Sequence, residues 1–536
     1  MKGSSLLAWF VLGALLMSNV AEAAFAPVAS ECDILIYGGT SGGVVAAVQA
    51  AKMGKRVVLL EPGAHLGGMS SGGLGWTDFG GKTGKAEIGG LAREFYRRVG
   101  QHYGRPEEFT LEPHVAEQVF DNWVKESGVT VHRRQRIASV EKERGRIRSV
   151  VTEEGVVFRA SMFLDTTYEG DLMALAGVKY FLGREANDQY GETLNGRQKP
   201  ATNPRAGKFE VRIDPYLVPG DSKSGLLPLL LQPGTLGELG TADRLVQSYN
   251  YRLCLTDQEA NRLPLTPPLD YDPARFELLA RWIEARVAKG EKLLLSNFCK
   301  YDPLPHGKYD FNNRWPISTD FIGGASRYPE ASFEERAAIA RQHEDYLRGF
   351  FHFLATSPRV PENVRRQTQA FGLCKDEFVS NGGWPHQLYV REGRRMVSDF
   401  VMTQHHCQGK AVAPNSVGLA AYVIDIHAVR RIVYKDTPVN EGSNGGSVPR
   451  PYPIAYQSLV PKAEECENLF VTFGLSASHV AFASIRMEPV FMVLSQSAAT
   501  AACLAIDRGV RVQDLPYDAL RSQLLVDGQV LDWPSR

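Results

Sequence analysis

The protein has 536 residues, of which 44% are hydrophobic and 22% charged, with 60 lysines and arginines against 60 aspartates and glutamates. This ordinary globular composition excludes a disordered chain, a coiled coil and a polytopic membrane protein. Because nucleic acid binding needs a basic surface, a formal net charge of zero also argues against a nucleic acid partner. The length corresponds to roughly two to four domains.

The first 23 residues have the pattern of a secretory signal peptide. Lys2 precedes an apolar run over residues 6–17, and Ala21-Glu22-Ala23 forms an A-x-A cleavage site. The run is too short to cross a bilayer comfortably, so we expect cleavage and a secreted or periplasmic protein without a stable membrane span.

The seven cysteines form no C-x-x-C pair, and we predict no metal site.

A βαβ unit with a glycine-rich turn follows the leader. Residues 34–37 are apolar, as in a strand covered on both faces, and residues 38–43 read Gly-Gly-Thr-Ser-Gly-Gly. Residues 44–52 predict a helix, after which a second apolar strand ends at Glu61. Glycines let the backbone approach a pyrophosphate, the helix N-terminus attracts it, and an acidic residue at this spacing binds a ribose. Thr40 replaces the usual glycine of the pattern, and a glycine cluster that only packs the helix is the alternative interpretation.

Further segments distinguish this chain from a simple nicotinamide-binding protein. A second glycine-rich loop covers residues 62–75, which a nicotinamide domain does not need. Residues 129–159 contain three short strand-like runs separated by turns, and residues 162–165 form a further apolar strand. Near the C-terminus, residues 468–474 predict a buried strand, and a helix rich in small residues follows over about residues 490–505.

Together these segments resemble the FAD-dependent oxidoreductase family whose members read GGTxxGVxAAxxAAxxGxxVxLxEPxxHLGGMxxxGL. The resemblance implies an α/β fold: a Rossmann-like FAD-binding domain of the glutathione-reductase type with a β-meander, and an inserted mixed α+β substrate domain. We therefore predict a signal peptide over residues 1–23, a discontinuous FAD-binding domain over residues 31–189 and 401–536, and a substrate or cap domain over residues 190–400.

The βαβ pattern and the family resemblance together indicate noncovalently bound FAD. In the family, the C-terminal small-residue helix points its N-terminus at the flavin, where a reduced flavin holds negative charge. The predicted cofactor-binding residues are Gly38, Gly39, Thr40, Ser41, Gly42, Gly43, Glu61, Gly67, Gly68, Met69, Asp165, Gly474, Gln496 and Ser497.

The densest polar segment of the chain is the candidate active site. Alternate residues of a strand share a face, so we expect Gln387, Tyr389 and Arg391 to point together into a cleft. Tyr389 is a candidate for proton transfer, and Arg391 or Arg395 for clamping a carboxylate or stabilising developing negative charge. A structural ion-pair network is the competing interpretation.

Two C-terminal residues complete the predicted catalytic set. His479 is a candidate proton-transfer group because its motif lies where the family's chain passes the flavin, and Arg486 follows it. The alternative for His479 is a buried structural histidine. In the inserted region, aromatic residues either line a substrate site or fill the core; they are Tyr249, Tyr251, Tyr301, Tyr309, Phe311 and Trp315.

These features predict a flavoenzyme that transfers a hydride between flavin N5 and a small polar substrate, which contains a sugar or a carboxylate. No second dinucleotide turn is evident, so we expect oxygen, a quinone or a small redox protein, not yet identified, as the electron partner. Some members of the family are described as xanthan lyases. The alternative prediction is therefore a polysaccharide lyase or carbohydrate-binding protein on a flavoprotein scaffold.

Overall fold

The computed structural model describes residues 28–79, 85–202, 207–230, 236–314 and 316–534. The predicted signal peptide and Trp315 lie outside the described residues. The strands, in chain order, are β1 (Val28–Tyr37), β2 (Val57–Glu61), β3 (Thr130–Arg133), β4 (Ile137–Glu143), β5 (Arg146–Thr152), β6 (Val157–Asp165), β7 (Tyr180–Phe181), β8 (Leu253–Thr256), β9 (Arg262–Leu263), β10 (Cys299–Leu304), β11 (Lys308–Asn313), β12 (Gly372–Cys374), β13 (Arg395–Met396), β14 (Ser416–Ala420), β15 (Ile424–Asp425), β16 (Arg430–Val433), β17 (Pro438–Glu441), β18 (Gly445–Gly446), β19 (Tyr452–Ala455) and β20 (Leu469–Val471).

The helices are α1 (Ser41–Lys52), α2 (Gly90–His102), α3 (Pro113–Glu126), α4 (Asp171–Leu175), α5 (Asn187–Tyr190), α6 (Glu277–Ala288), α7 (Phe333–Thr356), α8 (Glu362–Gln369), α9 (Gln404–Cys407), α10 (His479–Ile485), α11 (Glu488–Arg508) and α12 (Tyr517–Val526).

A parallel sheet forms the centre of the cofactor-binding half. Its strand order is β3-β2-β1-β6, and β20 pairs with the C-terminal part of β6. The strands are apolar because helices cover the sheet, and Ile34, Ile36 and Leu59 are fully buried. In an open parallel sheet, ligands bind at the carboxyl ends of the strands. That edge carries the turn after β1, the end of β2 and the turn after β6.

An antiparallel meander joins this sheet, where the sequence predicts short strands and turns. β4 pairs with β5, and β5 pairs with the first part of β6. The turns carry Gly145 and Gly155, both with positive φ, which glycine adopts without steric cost. The long strand β6 therefore belongs to the meander at its start and to the parallel sheet at its end.

A second, antiparallel sheet lies in the inserted region, in the order β10-β11-β8-β12-β9. The helices α6, α7 and α8 come from the same part of the chain. The sequence Ser332-Phe333-Glu334-Glu335 predicts a capping box at the start of α7. The structure confirms it: the Ser332 hydroxyl accepts from the N–H of Glu335, whose carboxylate accepts in return from the N–H of Ser332. Most of the predicted aromatics pack in the core, among them Tyr301 and Phe311, whose rings stack at 5.2 Å.

The C-terminal helix α11 is a core helix. Among the described residues, it is the one helix long and apolar enough to cross a membrane, with a mean hydropathy of 1.6, and 89% of that stretch is buried in the protein. It packs along α1 with small side chains, so that a Cβ on Gly42 would lie 2.5 Å from Ser495 Oγ. This close approach places the N-terminus of α11 beside the N-terminus of α1.

Candidate functional site

The turn after β1 brings α1 against the sheet. Gly38 has φ +105°, and a Cβ on Gly43 would lie 1.8 Å from the carbonyl oxygen of Gly38. Thr40 is the N-cap of α1: its hydroxyl accepts from the N–H of Gly43 and donates to the carbonyl of Thr166 at 2.8 Å. Thr40 therefore replaces a glycine at a position where its hydroxyl caps the helix.

Glu61 closes the same turn from the end of β2. Its carboxylate accepts from the N–H groups of Gly39 at 2.6 Å and Gly63 at 2.5 Å. Burial raises the pKa of Glu61 to about 7, although these two hydrogen bonds favour the charged form. Gly67 completes the cradle, since its N–H donates to the carbonyl of Gly39 at 2.7 Å.

A groove of about 280 Å³ runs along this turn, and we call it the nucleotide groove. The predicted residues Gly38, Thr40 and Glu61 line it. Its opposite wall comes from the inserted region and from the segment before Tyr389. The other lining residues are Pro62, Gly63, Arg136, Thr167, Tyr168, Glu169, Asp171, Tyr251, Tyr328, Phe333, Arg336, Ala337, Ala340, His386, Gln387 and Leu388.

A second, nearly closed cavity follows the groove, and we call it the inner cavity. It holds about 10 Å³ and shares Tyr168 with the nucleotide groove. Phe473 and Phe491 stack at 3.9 Å on one side of it. Its lining residues are Leu74, Asp78, Tyr168, Tyr389, Val390, Phe473, Phe482, Arg486, Met487, Glu488 and Phe491.

Glu488 connects the two spaces. Its carboxylate accepts from the hydroxyls of Ser41 at 2.6 Å, Ser70 at 3.0 Å and Tyr168 at 2.8 Å. Tyr168 in turn accepts from the N–H of Met69 at 2.8 Å. Burial raises the pKa of Glu488 above its ordinary value, because the three hydroxyl donors offset the desolvation only in part.

Tyr389 and Arg486 meet at the far side of the inner cavity. The Arg486 Nη1 donates to the Tyr389 hydroxyl at 2.9 Å, and its Nη2 donates to the carbonyl of Asp425 at the same distance. The buried Nε of Arg486 has no partner among the described residues. Arg391 lies over the Tyr389 ring at 4.6 Å. The structure thus brings these three predicted residues together, with one arginine donor left for a ligand.

A third cavity, of about 390 Å³, lies beyond Asp425, and we call it the outer cavity. His427 connects two of its carboxylates, with Nδ1 2.7 Å from Asp320 and Nε2 3.1 Å from Asp425. Burial opposes ionisation of Asp425, but His427 and Arg486 outweigh it and hold the pKa of this carboxyl well below its usual range. The lining residues are Gly207, Asn313, Ser318, Asp320, Ile322, Val423, Ile424, Asp425, Ile426, His427, Ala428, Asn440, Ser443, Asn444, Gly445 and Gly446.

The predicted common cleft of Gln387, Tyr389 and Arg391 is wrong. The segment is extended but pairs with a neighbour only through the Tyr389–Asn250 bridge, so strand alternation does not govern it. Gln387 lines the nucleotide groove, Tyr389 lines the inner cavity, and the Arg391 side chain is fully buried behind it.

His479 and Arg395 lie in a buried ion network and line none of the three cavities. His479 Nδ1 is 2.8 Å from Glu392, which also pairs with Arg395. Arg395 donates further to Glu185 at 2.7 Å and to the carbonyl of Ala477 at 2.9 Å. Because these partners satisfy it, Arg395 is not placed to clamp a substrate, and the competing interpretation as a structural network describes this pair.

The C-terminal cofactor residues also lie away from the cavities. The side-chain amide oxygen of Gln496 accepts from the N–H of Leu91 at 2.8 Å, and the Ser497 hydroxyl donates to the backbone carbonyl of Val417 at 2.6 Å. Both sit two turns or more beyond the N-terminus of α11 and fix its packing. A Cβ on Gly474 would lie 2.7 Å from the carbonyl oxygen of Arg394, so this glycine permits a close backbone contact.

Asp165 organises the turn after β6 and does not line the groove. Its carboxylate accepts from the N–H and the hydroxyl of Thr167 and from the N–H of Met173. Burial raises the pKa of Asp165 to about 6. The groove residues of this turn are Thr167, Tyr168 and Glu169, which follow Asp165.

The remaining predicted residues support the cradle from behind. Ser41 binds Glu488, while Gly39, Gly67 and Met69 contribute the backbone hydrogen bonds described above. A Cβ on Gly68 would lie 2.4 Å from the Tyr168 hydroxyl, so this glycine lets the second loop approach the turn after β6.

Sequence reasoning missed several groove and cavity residues. The basic cluster His132-Arg133-Arg134-Arg136 predicts a solvated strand edge, but Arg136 lines the groove. Arg336 has no local sequence signal because its position depends on the packing of α7. Glu488 could have been predicted as a site residue, because it lies at the start of the C-terminal helix, whose N-terminus is expected to face the glycine turn. The sequence His405-His406-Cys407 invites a metal-site interpretation, which a strand at this position would disfavour because adjacent side chains of a strand point oppositely. The segment instead lies in α9, and His406 Nδ1 lies 3.0 Å from the backbone nitrogen of Thr403.

One group of metal-type side chains exists among the described residues, formed by Glu112, His114 and Glu377. The Lys308 ammonium lies between the carboxylates, 2.7 Å from Glu112 and 2.6 Å from Glu377. Its positive charge balances the acidic groups at the position that a cation would take.

The donor set of the groove fits an adenine dinucleotide. A positive-φ glycine turn, a helix N-terminus and an acidic residue at the end of β2 meet in one groove, as ribose and pyrophosphate binding requires. Glycine at position 39 lets the turn pack against Glu61 and the second loop, since a Cβ there would lie 2.5 Å from Leu66 and 2.9 Å from the Glu61 carboxylate.

Solved structures of other proteins are similar to parts of the chain. Among solved structures, the chain is similar to L-amino acid deaminase from Proteus myxofaciens in complex with anthranilate, at 20% identity and a TM-score of 0.22, over 25% of this chain and 45% of that one. It is also similar to 3-ketosteroid-Δ4-(5α)-dehydrogenase from Rhodococcus jostii RHA1 in complex with 4-androstene-3,17-dione, at 14% identity and a TM-score of 0.20, over 28% of this chain and 50% of that one. The chain thus spans about half the length of each, and TM-scores this low carry no argument.

The sequence itself gives the decisive match. No curated protein matches the chain significantly. The model of the family described as FAD dependent oxidoreductase, however, matches residues 33–524, which include the glycine turn, the inserted region and α11. The chain is an enzyme that belongs to the FAD-dependent oxidoreductase family and uses FAD as its cofactor.

Proposed function

We propose that this protein transfers a hydride between a small polar substrate and N5 of noncovalently bound FAD. The observation that carries the proposal is the continuity of the site: Tyr168 lines both the groove that begins at Glu61 and the inner cavity that ends at Tyr389 and Arg486. When bound, FAD supplies the ring that accepts or donates the hydride.

Different residues of the chain would bind different parts of the cofactor. Glu61 would accept hydrogen bonds from the adenosine ribose, and the N-terminus of α1 would hold the pyrophosphate. The loop at Gly67 and Tyr168 lie next along the path. The inner cavity holds only about 10 Å³, so its lining side chains would have to move apart to admit a flavin ring.

Arg486 is the residue we propose to act on developing charge. Its Nε has no hydrogen-bond partner in the part of the chain that the structure describes, and its side chain is 2% exposed beside a cavity of about 10 Å³. A guanidinium donor in such a site stabilises negative charge on a substrate oxygen or on the cofactor far more than in water. Tyr389, held by Arg486, is the neighbouring group that holds or passes a proton.

The glutathione-reductase type of the cofactor domain and its boundaries at residues 31–189 and 401–536 are part of the proposal. The meander between β3 and the end of β6 supports the type, and the separate antiparallel sheet between residues 253 and 374 supports an inserted domain over residues 190–400. We further propose export to a secreted or periplasmic location. Lys2, the apolar run and Ala21-Glu22-Ala23 support this, and N-terminal sequencing of the mature protein tests it.

An anaerobic spectrum tests the function. The purified protein is expected to show the absorption of bound FAD, to release the FAD on denaturation, and to lose the yellow band when it meets a substrate. A colourless protein that cannot be loaded with FAD contradicts the proposal. Release of unsaturated sugar products without bleaching supports the alternative lyase function.

A further inference from the structure

We propose that Cys254 and Cys374 form a disulfide bond that ties strand β8 to strand β12 in the inserted region. This inference rests on the proposed export, because disulfides form and persist in oxidising compartments. It does not depend on the flavin chemistry.

The two sulfur atoms lie against each other in the core of the inserted region. Cys254 Sγ is 3.9 Å from Cys374 Sγ, and both side chains are fully buried. All seven cysteines belong to the described residues, and this is the one pair whose sulfur atoms come within hydrogen-bond reach of each other. The chain therefore offers one site for an intramolecular disulfide.

The strand register places the two cysteines opposite each other. β12 pairs with β8 in antiparallel fashion, with Leu373 opposite Leu255. One further step in this register sets Cys374 against Cys254. Opposed residues of antiparallel strands have Cα atoms roughly 4.5–5.5 Å apart, and a disulfide joins Cα atoms at roughly 4.4–6.8 Å. Rotation of the two side chains therefore suffices to bring the sulfurs together, and the strands keep their places.

Thiol–disulfide exchange gives a balanced route to the bond. The thiolate of one cysteine attacks a small-molecule disulfide, such as oxidised glutathione, and the other cysteine then displaces the sulfur that is held in the mixed disulfide. The Sγ–Sγ bond forms and the S–S bond of the oxidant breaks. The two protons and two electrons of the cysteines leave with two molecules of the reduced thiol.

Burial determines when this exchange takes place. The Cys374 thiol and burial together raise the pKa of the Cys254 thiol well above its usual range, so the folded chain holds little of the attacking thiolate. A fully buried sulfur is also out of reach of an oxidant or a reductant. The bond therefore forms before the sheet closes around the two strands, and afterwards it resists reduction.

The link would hold together the part of the inserted region that borders the nucleotide groove. The two cysteines are 120 positions apart, and the chain between them forms α6, α7 and α8. Tyr251 comes shortly before β8 and Gln387 follows β12, and both line the groove. A cross-link that closes so long a loop restricts the unfolded chain, and we therefore expect it to stabilise the fold.

Peptide mapping tests the inference. The full chain is produced behind a foreign cleavable leader in an oxidising periplasm, unfolded in iodoacetamide without reductant, digested and analysed by mass spectrometry. We expect one cross-linked pair of peptides, which carries Cys254 and Cys374. The cysteines expected to be alkylated are Cys32, Cys299, Cys407, Cys466 and Cys503.

Two results of the mapping would overturn the inference. They are alkylation of all seven cysteines and a disulfide that joins any other pair. Because the leader is foreign, neither result depends on whether the protein's own leader directs export, which N-terminal sequencing tests. Neither depends on FAD loading, so the proposed flavin chemistry is judged separately.

Thermal unfolding in the presence of FAD measures the effect of the bond. The periplasmic protein should unfold at a midpoint about 5 °C or more above that of the same chain made in a reducing cytoplasm. Cys254→Ala should abolish this difference, and Cys374→Ala replaces it if that variant fails to fold. Cys299→Ala, at a buried cysteine of the same sheet, is the matched control and should keep the full difference. Equal midpoints of the two original preparations would overturn the stabilising role of the bond.

Discussion

The nucleotide groove and the inner cavity are built by opposite means. The side of the groove formed by β1 and β2 uses backbone N–H groups, glycines and the Glu61 carboxylate from a short stretch of chain, and only the opposite wall comes from distant segments. The inner cavity uses side chains that converge from distant segments, among them Tyr168, Tyr389 and Glu488. Backbone recognition suits a cofactor that never changes, whereas a side-chain network can be altered without disturbing that cofactor. Changes in the groove should therefore affect FAD retention, and changes around the inner cavity should affect turnover.

The largest expected effect is a lower free energy of unfolding when Gly43, in the glycine turn of the groove, is replaced. Gly43→Ala places a methyl group against the carbonyl of Gly38, where a Cβ has 1.8 Å of room, so α1 has to move away from the sheet. We expect destabilisation of about 3 kcal/mol or more in thermal or urea unfolding. Gly54→Ala is the control, because its Cβ meets nothing within 4 Å and only the positive φ opposes it. Equal stabilities of the two variants would refute the close packing.

Tyr389→Phe should separate turnover from cofactor binding. The variant keeps the ring but removes the hydroxyl that Arg486 holds. We expect full FAD content and flavin reduction slowed by roughly 100-fold, as for loss of a proton-transfer group. Tyr434→Phe, outside the cavities, should reduce the flavin at the normal rate. Loss of FAD from Tyr389→Phe would show that the two regions are not separate.

Glu61→Gln should show the converse behaviour. Its amide accepts hydrogen bonds less strongly than the carboxylate that now binds two backbone N–H groups and is positioned for the ribose. We expect FAD to bind about tenfold more weakly in equilibrium titrations, with the reduction rate of the loaded fraction unchanged. The exposed Glu154→Gln should bind FAD like the original protein. Unaltered affinity of Glu61→Gln would remove Glu61 from the cofactor site.

The pH dependence of the FAD-free protein gives a subtler test of the groove. The pKa of Glu61 is raised to about 7 from an ordinary value of 4.5. The folded state therefore keeps a proton that the unfolded chain releases, and this stabilising contribution is full below pH 4.5 and is lost as the pH rises through 7. Between about pH 5 and 7.5, unfolding free energies of the original protein should fall relative to those of Glu61→Gln. Parallel pH profiles would contradict a raised pKa.

The smallest expected effect concerns a helix that borders the groove. Ser332→Ala removes the cap of α7, whose first residue, Phe333, lines the groove. We expect a loss of about 1 kcal/mol in stability and at most a slight weakening of FAD binding. Ser522→Ala, an exposed position in α12, is the control for the unfolding measurement. A large loss of FAD would show that the wall from the inserted region holds the cofactor more firmly than the glycine turn does.

The same contrast explains what could be predicted from the sequence. The glycine turn, Glu61, the meander and the capping box at Ser332 depend on residues that are near in sequence, so local patterns reveal them. Arg336 and Asp425 reach their places only through the packing of distant segments, which periodicity does not encode. Gln387, Tyr389 and Arg391 failed as a set because strand alternation was applied to an extended segment that lacks a regular ladder.

His479 and Arg395 show a second limit. Their residue types suit catalysis, but the sequence does not reveal that Glu185 pairs with Arg395 and that Glu392 lies beside His479 in the core. Gln496 and Ser497 show the same limit for cofactor-binding residues. They lie on later turns of α11, which pack in the core even though the N-terminus of this helix faces the site. The residue types suggested catalytic or cofactor-binding roles for these four residues, but in the structure all four are buried and bound to other protein groups.

A crystal structure of the FAD-loaded enzyme tests the central claim most directly. The path of the cofactor is predicted to run from Glu61, with the adenosine ribose within hydrogen-bond distance of its carboxylate, past Tyr168 to a flavin ring beside Tyr389 and Arg486. A flavin ring bound elsewhere, or a ribose without contact to Glu61, would contradict it.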